Sequence, residues 1–218
     1  MFSFNLPAST RVNKPIPKSA FDKYTNWRQK KNFTDKVSKI IWLNKLSSET
    51  TNLPFKEISE IQLITIELKH KTNIDPLLRI IDKAISYHIL FTVEFQHEIY
   101  FSVAKKHPHP LNDDTAVIDW VFSSEWHTAS EPALKLSLAV SIDSVFLSLC
   151  NQLSDPILQN KQLDLNTLIK TDSEISKLQL EIAQLSTQIK NEKQFNKKVE
   201  LNTKLNALKR LKDSLNNP

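Results

Sequence analysis

The sequence predicts a mixed α/β fold, a sheet layered with helices and followed by a C-terminal antiparallel helical hairpin. Three observations carry that prediction. Runs of alternating β-branched residues are interleaved with apolar residues at helical spacing. Two of the strand runs are separated only by Gln96-His97-Glu98, a tight turn that makes them antiparallel neighbours and disfavours a doubly wound parallel sheet. Near the carboxyl end, a heptad pattern breaks phase once.

In chain order, Pro7, Pro15 and Pro17 oppose regular structure in a Pro-, Ser- and Lys-rich start, so residues 1–33 read as an extended basic arm. Thr34 is placed to cap a helix carrying Val37, Ile40, Ile41 and Leu46, broadened by Trp42 and Leu43. Glu60 to Lys69 alternates as a strand. Asp75 and Pro76 then open a helix with Leu77, Leu78, Ile80, Ile81 and Ile85 inward. His88 to Phe95 and Ile99 to Ala104 are the hairpin strands, and Val117 to Trp126 and Leu134 to Val140 are further strand candidates. Ser141 or Asp143 starts a helix with Ile142, Val145, Phe146, Leu149 and Leu153 on one face. That order gives a core domain over 34–155.

A polar linker, 156–172, leads to a helical hairpin, 173–218. Ile175, Leu178, Ile182, Leu185 and Ile189 repeat in heptad spacing, the register fails at Asn191-Glu192-Lys193-Gln194, and Leu201, Leu205 and Leu208 resume it in a new phase. Two short coiled-coil runs of that kind fold back on each other, and helices of this length are marginal alone. The eight residues are therefore the expected partner-binding surface, for another protein or for a second copy of the chain.

Composition narrows the chemistry. The 218 residues contain no glycine, where average usage of about 7% predicts roughly fifteen. The Walker phosphate loop, the dinucleotide-binding turn and the nucleophile elbow all need glycine, so their usual forms are excluded. Asparagine is expected at the turn positions that need positive φ. One cysteine forms no internal disulfide, and no run is long and apolar enough for a bilayer span or signal peptide. The expectation is a cytoplasmic protein with no membrane partner. The net charge of +5 is unevenly spread: ten Lys/Arg face only Asp22 and Asp35 in residues 1–46, whereas residues 47–155 are acidic and the tail is basic again.

Several strings resemble a bacterial family, domain of unknown function 4391. They are Ile16-Pro17-Lys18, Lys39-Ile40-Ile41-Trp42-Leu43-Asn44-Lys45-Leu46, Glu60-Ile61-Gln62 and Ile66-Glu67-Leu68-Lys69. Ile81-Asp82-Lys83-Ala84-Ile85 with His88-Ile89-Leu90-Phe91, Trp126, Asp143-Ser144-Val145 and Glu192 to Asn202 also match. The resemblance implies a gene beside helicases and DNA methyltransferases in restriction-like anti-phage clusters. It thus implies an accessory, non-catalytic adaptor with a helicase or methyltransferase subunit as partner, and DNA nearby. It carries no catalytic residue.

Four residue groups could bear chemistry. Glu67 and Lys69 form an E-x-K at a strand end, with Glu60 as a second carboxylate; metal-dependent nucleases use such groups with Mg²⁺. No preceding strand offers the further acid such a site needs, and an edge strand with exposed charges has the same letters. His107-Pro108-His109 with Asp113-Asp114 has metal-ligand chemistry but also describes a solvated loop, so no metal and no cofactor is expected. Cys150 lies on an apolar helix face and reads as a buried small hydrophobe. Lys14, Lys18, Lys23, Arg28, Lys30 and Lys31, interleaved with Phe21, Tyr24 and Trp27, suit a nucleic-acid contact or a solvated face packed by its rings. The runner-up functions are a divalent-metal nuclease and a stand-alone nucleic-acid binder.

Overall fold

In the computed structural model, described over residues 2–130, 134–159 and 161–215, the chain divides into two compact units, residues 1–153 and 154–218. The first is built on one seven-stranded mixed sheet, in the order β1 (Arg11–Pro15), β2 (Val37–Ser47), β3 (Glu60–Leu68), β4 (His88–Phe95), β5 (Glu98–His109), β6 (Asn112–Ser123), with β7 (His127–Thr128) also on β5. All neighbours are antiparallel except β3 and β4, which run parallel with α3 (Asp75–Ala84) between them.

The sheet is covered on both faces. Ile64, Ile66 and Leu68 of β3 and Ile89, Phe91 and Val93 of β4 belong to a core that includes Leu77, Leu78 and Ile81 of α3. Phe33 of α1 (Trp27–Lys36) and Phe21 of a short 3-10 helix (Lys18–Tyr24) join the same core, their rings stacked at 5.8 Å. The opposite face meets α4 (Ile142–Leu153), whose Phe146 contacts His88 edge-on at 4.5 Å. Both faces of β3 and β4 are thus apolar, as buried parallel neighbours require.

Three expectations are corrected. Residues 37–47 form β2, not a helix from Thr34; the helix is earlier, α1, capped by Asn26 in a reciprocal bond with Gln29. The spacing of Val37, Ile40 and Ile41 fits either element, but nine residues of 37–47, the β-branched and aromatic Val37, Ile40, Ile41 and Trp42 among them, find partners along β3, and pairing overrides periodicity. Residues 8–36 are not an extended arm: β1 pairs with β2 and closes that sheet edge, and two short 3-10 helices and α1 account for most of the rest. Residues 134–140 contain no strand.

Asparagine does take over glycine's positions at Asn13 (φ 50°) and Asn52 (φ 57°), while Gln96 (φ 55°) makes the β4–β5 turn. The second unit contains α5 (Leu165–Asn191) and α6 (Phe195–Ser214), packed on each other. Their connection, Glu192 to Gln194, falls at the heptad phase break, where Glu192 accepts the N–H groups of Lys193 and Gln194. Asp164 caps α5 by accepting from Asn166 and Thr167.

Candidate functional site

The E-x-K residues sit where β3 ends. Across the ladder, Glu67 faces Lys39 of β2 on one side and Glu94 of β4 on the other. The strand preceding β3 therefore exists, contrary to expectation, but at the position opposite Glu67 it supplies a lysine instead of an acid. Lys39 Nζ lies 2.8 Å from Glu67 Oε2, and the hydrogen bond and charge of Glu67 raise the lysine above its ordinary pKa. Glu94 is buried and accepts the Phe2 N–H at 2.5 Å, beneath an aromatic cluster of Phe2, Phe4 and Phe101. Lys69 is exposed, and its charge helps burial hold Lys18 below the usual lysine range.

Glu60 does not belong to this group. It starts β3, roughly 23 Å from Glu67 along the strand, where it pairs with Lys45 at 2.8 Å and accepts from Gln62. Among the described residues, no three His, Cys, Asp or Glu side chains converge as a metal site. His107 Nδ1 meets Asp119 at 2.8 Å, and His109 Nδ1 accepts the Leu111 N–H. The Asp113 and Asp114 side chains lie outside the described residues. Cys150 is fully buried with Phe146 and Leu149 on the same helix.

The basic residues of the first 31 positions are engaged in different ways. Lys18 donates to the Val37 carbonyl at 2.6 Å, Lys30 pairs with Asp22 at 3.1 Å, and Lys23 covers the Tyr24 ring. Arg28 covers Trp27, whose ring is 70% exposed. Lys14 and Lys31 are exposed.

Two polar sites were not read from the sequence. Lys106, 1% exposed, uses all three ammonium donors on the Asp82 carbonyl, Asp82 Oδ1 and the Ile85 carbonyl, at 2.8, 3.0 and 2.8 Å. The lysine thereby caps the end of α3 and pins it to β5. Burial works against both charges, lifting Asp82 and lowering Lys106, while their mutual attraction opposes it. Asp143, at the start of α4, accepts the backbone N–H groups of Lys56, Glu57 and Ile58 at 2.7, 2.9 and 3.0 Å. Burial pushes Asp143 up, but those three donors outweigh it and hold the carboxyl below its usual range. The only advance signal for Lys106 was the alternation of β5, which sends one of Lys105 and Lys106 inward.

On the hairpin, only Ile175 and Leu205 of the eight seam residues are buried. Leu178, Ile182, Leu185, Ile189, Leu201 and Leu208 remain half-buried, and Leu180, Phe195, Val199 and Leu211 are exposed.

A family model described as a domain of unknown function (DUF4391) matches residues 4–211. No curated protein and no solved structure matches the chain.

Proposed function

The chain belongs to the DUF4391 family across both of its units, and from that premise we propose that it is a non-catalytic adaptor subunit of a DNA-targeting complex. Its partner is a helicase or DNA methyltransferase subunit, and α5–α6 is the docking element.

One observation carries this reading. A paired helix of 27 residues and another of 20 leave most of their own seam half-exposed, with four further large apolar side chains in solvent. Exposed apolar side chains occur singly in the first unit as well, at Trp27, Phe55, Tyr87, Leu111 and Val140, but on the hairpin they accompany a half-open seam, and apolar surface left open in that way marks an interaction site. The eleven Lys/Arg against seven acids over residues 156–218 suit a partner groove that is apolar at its floor and acidic at its rim. The test is co-expression of the full chain, and of residues 1–153, with a candidate helicase or DNA methyltransferase subunit. Co-elution of the full chain and loss on truncation are expected. Equal behaviour of the two forms overturns the proposal.

A second reading, a Mg²⁺-dependent nuclease, is favoured by the in-register Glu67 and Glu94 beside Lys69. Against it, Glu67 is held by Lys39 and Glu60 is remote. Cleavage of supercoiled DNA that disappears in Lys69→Ala, with folding unchanged, would establish it. A stand-alone nucleic-acid binder would instead lose affinity steeply with added salt.

A further inference from the structure

The first unit contains a cavity of about 500 Å³ that neither the docking element nor the E-x-K residues use. Its walls come from α3, α1, the last residue of β5 and the first half of β6. Arg79 and Lys83 of α3 line it one helical turn apart, and both are exposed. Residues so spaced on a helix are neighbours, and like charges there repel. Elsewhere in this unit Lys30, Lys39, Lys45 and Lys71 are each paired with a carboxylate. Among the described residues, neither Arg79 nor Lys83 has a side-chain ion-pair or hydrogen-bond partner, and no Asp or Glu lines the cavity. The charge of Arg79 does reach Asp82, but Lys106 already holds that carboxylate.

Two further lining residues add donors. The Gln29 side chain is fixed by the capping box of α1, where its carbonyl accepts the Asn26 N–H at 2.8 Å and leaves the amide NH₂ to donate. His109 Nδ1 accepts the Leu111 N–H at 3.2 Å, so the proton of the neutral ring sits on Nε2, which is then a donor. Four donor side chains, with no carboxylate among the described lining, suit an anion. The charge selects which anion. Two permanent cations are balanced by a phosphate monoester, which carries about −1.5 to −2 at neutral pH, whereas a carboxylate or a phosphodiester balances only one. The cavity is larger than a phosphate group, and half-buried Tyr24, Val117 and Ile118 give an apolar wall for whatever the phosphate is attached to.

We propose that this cavity binds a phosphate monoester, with the phosphate held by Arg79 and Lys83 and the organic body along Tyr24, Val117 and Ile118. Gln29 and His109 supply the remaining donors. A small phosphorylated molecule and the phosphorylated end of a nucleic-acid strand share this chemistry, and the experiment separates them. The inference rests on the first unit alone and needs no partner, so it stands or falls separately from the adaptor proposal.

The experiment is calorimetry on the purified full chain at neutral pH and low salt. The probes are phenyl phosphate, methyl phenyl phosphate, benzoate, inorganic phosphate, and one oligonucleotide with and without a 5′-phosphate. Phenyl phosphate is expected to bind about tenfold or more tightly than its methyl ester or benzoate, because one charge-assisted contact is lost in each. It is also expected to bind more tightly than inorganic phosphate, which has no body to pack. Lys83→Gln is expected to lose about tenfold in affinity. Its melting temperature should hold or rise, since the repulsion with Arg79 is relieved, and a purely structural role would not produce that combination. Arg79→Lys keeps the charge near Asp82 but loses the guanidinium fork, so binding weakens while stability stays. Exposed Lys135, outside the cavity, is the control, and Lys135→Gln should bind as the native chain does. Tighter binding of the 5′-phosphorylated strand than of phenyl phosphate identifies a strand end as the source; the reverse order identifies a small molecule. Equal affinity for phenyl phosphate, its methyl ester and benzoate, indifference to the 5′-phosphate in a strand that outbinds phenyl phosphate, or unchanged binding in Lys83→Gln would overturn the proposal.

Discussion

The two units of the chain treat polar and apolar groups in opposite ways. In residues 1–153, β3, β4 and the stretch of β5 from Ile99 to Ala104 are nearly solvent-free, and even a lysine is buried with every donor used. In residues 154–218, two longer helices bury Leu168, Ile175 and Leu205 but leave most seam positions half-open. A core closed to water specifies its own structure; a seam left half-open has apolar surface still to cover. The difference separates a unit with a closed sheet core from one whose helices leave apolar surface open.

The comparison can be strained first at the buried charge. Lys106→Ala strands Asp82 in the interior, and breaking such a pair costs about 3–5 kcal/mol. Urea unfolding is expected to show that loss, and the double variant Lys106→Met with Asp82→Asn to recover much of it. A Lys106→Ala protein of unchanged midpoint would mean that the scaffold does not depend on this contact.

Acid provides the next largest effect. His88 is held at about 3, first by burial and then by the charges of Lys105 and Lys106, whereas an unfolded histidine titrates near 6.5. Between those values the unfolded chain binds the additional proton, so stability falls as pH drops through that window. About 3 kcal/mol is expected to be lost from this group by pH 4. Unfolding midpoints measured from pH 7 to 4 should decline in the native chain and flatten in His88→Leu. Asp143 adds its own loss at lower pH, because its depressed carboxyl is protonated only below the ordinary carboxylate range.

Asp143→Ala removes the acceptor for three backbone N–H groups. It is expected to destabilise by about 2 kcal/mol and to speed amide exchange at Lys56, Glu57 and Ile58. The smallest effect belongs to the hairpin. Leu185→Ala in the isolated chain is expected to cost under about 1 kcal/mol, because a half-exposed side chain loses little burial. Leu90→Ala, fully buried in β4, should cost about 2–5 kcal/mol by the same measurement. Equal costs at these two leucines would erase the distinction between the units.

The sequence made the strands of the central sheet legible wherever β-branched residues alternated, as in Glu60–Leu68 and His88–Phe95. It also marked the hairpin turn, because the loss of heptad phase is a local event. The segment 37–47 has a helical spacing at Val37, Ile40 and Ile41 yet is a strand, because only the distant β3 decides between the two states. The same non-locality hid the candidate sites. Glu67 and Lys69 were visible, but Glu94 comes beside Glu67 only through parallel pairing, and Lys39 only through β2 being a strand. Gln29, Arg79 with Lys83, and His109 belong to three separate elements, and no spacing announces that they enclose a cavity.

The claim that the hairpin is the docking element is tested most directly by hydrogen exchange, comparing the purified chain alone with the chain in its co-purified complex. Amides of α5 beyond Ile175, and those of α6, are predicted to exchange quickly in the free chain and to become strongly protected in the complex, with β3 to β5 slow in both. Protection of α5 and α6 in the free monomer equal to that of β3 to β5, and unchanged in the complex, would contradict it.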